Sequence, residues 1–545
     1  MEKIYKLITK NKKNTFTFLI ILTLISSIPI LLLPGLKQGH DAYFHLGRIS
    51  ALAENIKNFN FFNGIYPFYF NNYGYANGLF YPDLLLYIPA TLNALNLNLI
   101  TSYKIFIVLI NFFSILNIFI CIKGISKNKY AAILGSIIYA FASYRLVDIY
   151  ERSALGESLS FVFCPLVIYG IYEILFDDKK KFYYLIIGMS GLIFSHILST
   201  YIIGILLFVI CLLNIKKLFK ENRYLYLILS AIITFLITSY FLLPMLEQMI
   251  SQDFYYNNTS TIEEFKLYNR TVPIYLLFLE IPNLGSIISS KYWIPSGIGI
   301  IFIYFIYKII KSKNNDKIIK QSLWISIITL LLITFTPFWK LKIINKLFYM
   351  IQFPWRLYLI PTLLLTIFGS IVISKINKSK KFLGIVFIIS MISLISMNVI
   401  SLIPNRLYSI SSYDAAFSEY LPVEIDLNHI SNRGEIIISN NPVNHSFSKK
   451  NTNMKIEFSN NNNSNTYLEL PLIYYKGYYA SIGDEELDVF KTNNGLVGIK
   501  INDIKSGIIN ISYKGTKIAK ITKYISLISS ILFIIYVVKE VKYEK

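Results

Sequence analysis

Charge is what this sequence has least of for its size. Only 15% of its 545 residues are Asp, Glu, Lys or Arg, whereas a soluble globular chain carries about 25%. Too few side chains remain to cover a wet surface. Cysteine is nearly absent as well: Cys121, Cys164 and Cys211 all lie inside apolar runs, with neither a suggested pair nor metal-ligand spacing. The common soluble-enzyme fingerprints are missing. No Walker-type loop, G-x-S-x-G, H-E-x-x-H or dinucleotide glycine pattern occurs, so ATP-driven readings lose support. No six-plus-six internal repeat and no long central cytoplasmic loop is present either, which weighs against a common transporter architecture.

Apolar runs fill the space that charge leaves. Runs such as "TFTFLIILTLISSIPILLL" and "ISLISSILFIIYVV" are long enough to cross a hydrocarbon core of about 30 Å as helices. The class is therefore an α-helical polytopic membrane protein. The pattern predicts spans near 15–35, 101–122, 131–147, 158–176, 183–197, 199–213, 224–247, 295–311, 319–337, 356–374, 382–403 and 521–538, about twelve in all. The first run has no A-x-A-like cleavage site and reads as a retained signal anchor. The net charge of +22 resides mostly in short lysine tracts between these runs. Such tracts orient a membrane protein and give no reason to invoke nucleic acid. A chain-wide excess of Ile, Asn, Lys and Tyr accounts for part of the lysine count.

The tracts "KIYKLITKNKK", "KGISKNK", "DDKKK", "KKLFKENR", "KIIKSKNNDKIIK", "KINKSKK" and "KEVKYEK" all fall on one side if twelve spans are counted. That side is cytoplasmic by the positive-inside rule, and both termini lie there. The run "YYLIIGMSGLIFSHILSTYIIGILLFVICLL" has basic tracts at both ends, so two short helices turning around "SHILST" are expected, with His196 near the outer tip. The opposite side receives 36–100, 145–157, 248–294, 338–355 and 404–520. This gives a membrane domain over 1–403 with a first external loop at 36–100. A β-rich extracytoplasmic domain follows over 404–520, then a last span and tail over 521–545. Pieces such as "GEIIIS", "NMKIEFS", "TYLELPLIYY", "GLVGIKI" and "GIINISY" alternate apolar and polar residues between Asn- and Gly-rich turns, the pattern of a small β-sandwich. This segment holds 12 basic and 12 acidic residues, so the positive excess lies elsewhere.

Polar residues gather at the predicted outer mouths of spans. In "HDAYFHLGRISALAENI", a helix would put Asp41, His45 and Arg48 at i, i+4 and i+7 on one face, with His40 beside them. A carboxylate beside arginine stays ionised and can take a proton or a metal. An interfacial amphipathic helix with an incidental ion pair explains the spacing equally well. "YPFYFNNYGYANGLFYPDLLLYIPA" reads as an aromatic belt or as a sugar-binding cleft, and Asp83 in it enters an apolar stretch at a cost. "SYRLVDIYERSALGES" supplies Arg145, Asp148, Glu151, Arg152 and Glu157, read either as a charged loop with an Asp148–Arg152 pair or as the rim of a cavity. His196 sits inside a membrane hairpin, where packing roles outnumber catalytic ones. "YMIQFPWRLYLIP" brings Gln352, Trp355 and Arg356 into a span. Arg356 either snorkels or meets an anion whose paired oxygens suit a guanidinium.

"HDAYFHLGRI", "YGYANGLFYPDLL", "ERSALGESLSF", "SHILST", "IQFPWRLY", "SEYLPVE" and "LPLIYYKGYYASI", in this order, resemble the bacterial YfhO-like and 6-pyruvoyl-tetrahydropterin synthase-related membrane proteins, within the GT-C class of glycosyltransferases. The second label does not imply pterin chemistry. The resemblance implies roughly eleven to thirteen spans, an outward cavity and a polyprenyl-phosphate-linked sugar as donor. The general base or metal ligand of the class falls on Asp41. The class's D-x-D pattern is not met, since Ala42 and Tyr43 follow Asp41, so a divalent metal stays open, with Asp41 its ligand if one is used. On this reading the chain works at the outer face of a bacterial cell membrane. Arg356, with Arg145 or Arg152, holds the leaving phosphate, while His40, His45, Arg48, Asp83, Glu157 and His196 shape the cavity. The acceptor is a cell-envelope polymer or glycolipid, met in the lipid of the membrane. A lipid or solute transporter or flippase, and a non-catalytic envelope assembly protein, are the competing readings.

Overall fold

The computed structural model describes residues 2–543 apart from 33, 257–265, 280–294, 296, 313–315, 377–378, 402–405, 409–417, 462–464 and 503. Much of the expected 248–294 loop, the start of the 295–311 span and the 403/404 domain junction thus lie outside the described residues.

Among the described residues six helices are long and apolar enough to cross a membrane: Leu99–Ser126, Leu155–Phe176, Ile215–Ser251, Lys317–Thr334, Pro354–Ile376 and Lys517–Lys542. A seventh candidate is the pair Lys129–Ala140 and Ser143–Glu151, bent by 46°. The count of twelve is not reached among these residues, and the reasons are local. The first apolar run breaks at Ser27 into Lys12–Ser26 and Ile28–Leu31, with Pro29 in the opening turn of the second piece. The 183–213 run breaks at 194–196 into Tyr183–Ile193 and Ile197–Leu213, the two helices expected there, but with 11 and 17 residues both are too short to count as full spans.

The chain packs as two units that cut across sequence order. The first comprises Met1–Tyr43, Ile100–Phe235 and Ser260–Ser409. Glycines set its tightest helix contact. A Cβ on Gly170 would stand 2.2 Å from Leu185 N, one on Gly188 2.7 Å from Val167 N, and one on Gly191 2.1 Å from Phe163 Cδ1. The order of these contacts runs Leu155–Phe176 antiparallel to Tyr183–Ile193, with backbones as close as small residues permit. The segment expected as an outer loop, 145–157, is instead buried helix. Ser143–Leu146 leads into a π-turn over Val147–Glu151, and a short turn then enters Leu155–Phe176. Such π-turns frequently mark functional sites. In the same unit β1 (Leu36–Lys37) pairs antiparallel with β2 (Arg406–Leu407).

The second unit comprises Phe44–Leu99, Leu236–Thr259 and Ile410–Lys545. It holds β3 (Ile438–Ser439), β4 (Asn444–Lys450), β5 (Asn453–Ser459), β6 (Tyr467–Ile473), β7 (Tyr478–Ile482), β8 (Glu485–Leu487), β9 (Val489–Lys491), β10 (Leu496–Lys500) and β11 (Ser506–Tyr513). They form two antiparallel sheets, ordered β3-β6-β10-β9 and β4-β5-β11-β7-β8. Alternation decides their faces: Met454, Ile456 and Phe458 of β5 point inward while the residues between them are exposed. The shared core takes in Leu468, Leu470, Ile499 and Ile509, together with Tyr66, Tyr69, Tyr73 and Tyr75 from the aromatic segment near the N-terminus. Phe44–Leu99, most of the expected first external loop, therefore packs in the unit that holds the strands.

Candidate functional site

Asp41 immediately precedes the helix Ala42–Lys57 and is fixed through its backbone. Its N–H donates to the Arg152 carbonyl at 2.9 Å. Two residues earlier, a Cβ on Gly39 would lie 2.3 Å from Ser153 Oγ and 2.8 Å from the Arg152 carbonyl carbon, so only glycine lets the two segments meet. Ser153 answers with a left-handed φ of 57°. The Asp41 carboxylate then stands 3.9 Å from an Arg152 nitrogen with its side chain 28% exposed. With the exposed His40 beside it, it forms the open edge of an otherwise buried cluster.

Arg152 donates to Asp148 at 2.5 Å and to both oxygens of Glu157 at 2.9 and 3.2 Å. Arg356 Nε reaches the same Glu157 at 2.7 Å, and Tyr144 adds its hydroxyl at 3.1 Å. The rest of Arg356 is held by Gln352 Oε1 at 2.6 Å and the Ile351 carbonyl at 3.1 Å, both through Nη1. Its Nη2 donates to nothing among the described residues. Phe353 and Trp355 stack 4.9 Å apart with planes 4° from parallel. Arg152 lies 4.6 Å from the Trp355 ring centre, while Arg356 and Arg270 lie 5.0 and 5.4 Å from that of Phe353. Guanidinium groups gain from such faces most where water is excluded.

Desolvation raises the proton affinity of Asp41 above the ordinary carboxylate value. The Glu157 charge adds to the rise, and Arg152 and Arg356 oppose it. His40, next in the chain, is pushed down to about 4 by desolvation and by the cations Arg152 and Lys37. The site thus offers a carboxyl group of raised basicity beside an imidazole that is uncharged at neutral pH. Proton acceptance from a hydroxyl is the chemistry this favours.

The structure brings Asp41, His40, Arg152, Glu157 and Arg356 together, and His196 acts electrostatically on Glu157. His196 also caps Ile197–Leu213, its Nδ1 lying 2.9 Å from Ser199 Oγ. Arg145 belongs to a different buried network: it donates to the Ala140 carbonyl at 3.0 Å and to Asn111, which in turn bonds Ser27 and Tyr150. The expected Asp41–His45–Arg48 face does not form as an ion-paired set, because Asp41 lies before the helix and its arginine is Arg152. Arg48 instead donates to Asp83 at 2.8 Å and to the Pro82 carbonyl at 2.9 Å, and His45 Nδ1 lies 3.4 Å from it. Asp83 also accepts from Tyr66 at 2.6 Å. The sequence pattern did not single out Tyr144 or Arg270; neither carries a spacing signal, and only folding brings them to the cluster. A metal does not fit: Asp41 faces a guanidinium, and no group of three or more His, Cys, Asp or Glu with metal-holding geometry occurs among the described residues.

A family model described as the 6-pyruvoyl-tetrahydropterin synthase related domain, a membrane protein, matches residues 79–402. The chain belongs to this family. The matched stretch contains Arg152, Glu157, His196 and Arg356, while Asp41 precedes it. No curated protein matches the chain. One solved structure to which it is similar is the arabinofuranosyltransferase AftD from Mycobacteria, at 9% identity and a TM-score of 0.39. That similarity covers 72% of this chain and 27% of the other, so the chain spans about a quarter of that protein's length.

Proposed function

We propose that this member of the family is a GT-C-type glycosyltransferase of the cell membrane. It would move a sugar from a polyprenyl-phosphate donor to a hydroxyl of a cell-envelope polymer or glycolipid at the outer face. One observation carries the reading: a partly exposed Asp41 carboxylate lies 3.9 Å from Arg152, which shares Glu157 with a second buried arginine, Arg356.

In the proposed reaction Asp41 takes the proton of the acceptor hydroxyl. The hydroxyl oxygen attacks the anomeric carbon, and the bond from that carbon to the phosphate oxygen breaks on the opposite face with inversion. The electron pair departs with the polyprenyl phosphate. Arg356 is placed to receive that charge, since Nε and Nη1 are held by Glu157, Ile351 and Gln352 while Nη2 stays available. Preorganised donors of this kind stabilise developing charge without reorganising. Arg152, anchored by Asp148 and Glu157, supplies a second positive charge. The β-rich unit would carry the acceptor.

The test is transfer by purified protein from labelled polyprenyl-phosphate sugars to membrane acceptors, comparing wild type with Asp41→Asn. Transfer by wild type and its loss in the variant support the reading. Equal transfer by both would remove Asp41 from the base role. No transfer from any donor would return the transporter and assembly readings to the front.

A further inference from the structure

A polar recess lies within the unit that holds the strands. It is a cavity of about 150 Å³, the scale of one sugar ring, and none of its lining residues belongs to the Asp41 cluster. Gly64 and Gly78 meet in its lining. A Cβ on Gly78 would stand 2.3 Å from Asp83 Oδ2 and 3.0 Å from Gly64 Cα, so glycine leaves the Asp83 carboxylate room beside the recess. Arg48 holds one oxygen of that carboxylate at 2.8 Å and Tyr66 the other at 2.6 Å. The carboxylate is therefore locked in orientation, with lone pairs to spare.

The walls are aromatic. The rings of Phe62 and Tyr87 lie 5.1 Å apart, and that of Tyr240 lies 6.3 Å from Phe62. Phe62 is 49% exposed and has a φ of 56°, a region bulky residues avoid. The Tyr87 hydroxyl accepts from the Phe62 N–H at 2.8 Å, and Lys523 donates to the Phe62 carbonyl at 3.2 Å. The surroundings thus fix a strained backbone that keeps an aromatic ring exposed, a combination associated with ligand sites. Lys523 retains two ammonium hydrogens, and Lys514 lines the same recess.

These features select a ligand class. A flat apolar molecule would cover the spare lone pairs of Asp83 and the two remaining ammonium hydrogens of Lys523 without bonding them, which is costly. A bare anion would make no use of the aromatic walls. A pyranose satisfies both: its C–H face carries partial positive charge against the negative face of an aromatic ring, and its hydroxyls donate to Asp83. An acidic substituent meets the lysines.

We propose that this recess binds one saccharide unit bearing a phosphate or carboxylate. Its assignment to the acceptor side rests on the glycosyltransferase reading above; the binding itself does not. The experiment is equilibrium binding to the full chain in lipid nanodiscs, with glucose 1-phosphate, glucuronate, methyl glucoside and inorganic phosphate as probes. At least one acidic sugar should bind, with methyl glucoside and phosphate at least tenfold weaker. Lys523→Gln should weaken the acidic sugar about tenfold and leave methyl glucoside unchanged, and Phe62→Ala should weaken every sugar. Should Phe62→Ala fail to fold, as judged by near-UV circular dichroism, Lys523→Gln carries the test. Phosphate binding as tightly as the sugars, or no response to Lys523→Gln, overturns the proposal. Asp41→Asn should bind the probes like wild type, so a failed binding site and a failed catalytic base give different results.

Discussion

Arg356 Nε lies 2.7 Å from Glu157 Oε1 although 199 residues separate the two in the chain. Arg152, only five residues away, shares the same carboxylate. One acid therefore ties the start of the Leu155–Phe176 helix to the start of Pro354–Ile376. It holds both cations in fixed orientation.

Removing that acid deprives two buried guanidinium groups of their shared carboxylate. Breaking one partner out of a buried pair typically costs about 3–5 kcal/mol, and Glu157→Gln should fall in that range. Thermal unfolding in detergent measures it. Because the partners touch, Glu157→Gln combined with Arg356→Met should cost less than the sum of the single changes. Additive losses would mean the pair is not coupled.

The raised proton affinity of Asp41 makes a signed statement about pH. Its folded-state pKa lies above the ordinary 3.8, so the folded chain holds this proton more tightly than the unfolded one. The stability it contributes is complete below 3.8 and is lost as pH rises through the folded value. Once ionised, the carboxylate is thus a burden, and Asp41→Asn should melt no lower than wild type while losing about 10²–10⁴ in transfer rate. In wild type the rising acid limb of the pH–rate profile should sit above the ordinary carboxylate range. A variant that melts far lower would show that Asp41 serves packing.

His40 works in the opposite sense. Its folded pKa of about 4 lies below the ordinary 6.5, so its stabilising contribution is present above 6.5 and lost as pH falls towards 4. His40→Gln should flatten the fall in melting temperature across that window and leave neutral-pH stability nearly unchanged. A profile as steep as wild type would place the acid sensitivity elsewhere.

How much of this was legible beforehand follows from what is local. The membrane class was readable from apolar run length, and the strands β5, β6, β10 and β11 from alternation in "NMKIEFS", "TYLELPLIYY", "GLVGIKI" and "GIINISY". The i, i+4 pair Asp148–Arg152 was visible because helical spacing alone creates it. The same spacing argument misassigned the partner of Asp41, since the helix begins one residue later, at Ala42. Burial of 145–157 was hidden because its charges satisfy one another within the fold, and a charged string reads as a loop until its partners are known. No periodicity could place Arg356 on Glu157, or Tyr66, Tyr73 and Tyr75 in a core with strands some 400 residues later.

Gly39 offers the sharpest separation of geometry from chemistry. A methyl group there would meet Ser153 Oγ at 2.3 Å and the Arg152 carbonyl carbon at 2.8 Å. The second of these is backbone and cannot swing aside, so the Gly39–Asp41 segment must move away from Arg152. Overpacking of this kind costs about 1–3 kcal/mol, and displacement by an ångström can cost about 10²-fold in rate. Gly39→Ala should therefore lose most transfer activity while every ionisable group remains in place. Replacing Ser153 with glycine removes the first clash and relieves the left-handed backbone, but leaves the contact with the Arg152 carbonyl carbon. Activity in Gly39→Ala/Ser153→Gly should recover only partly. Full activity in Gly39→Ala alone would mean that the distance between Asp41 and Arg152 does not govern the reaction.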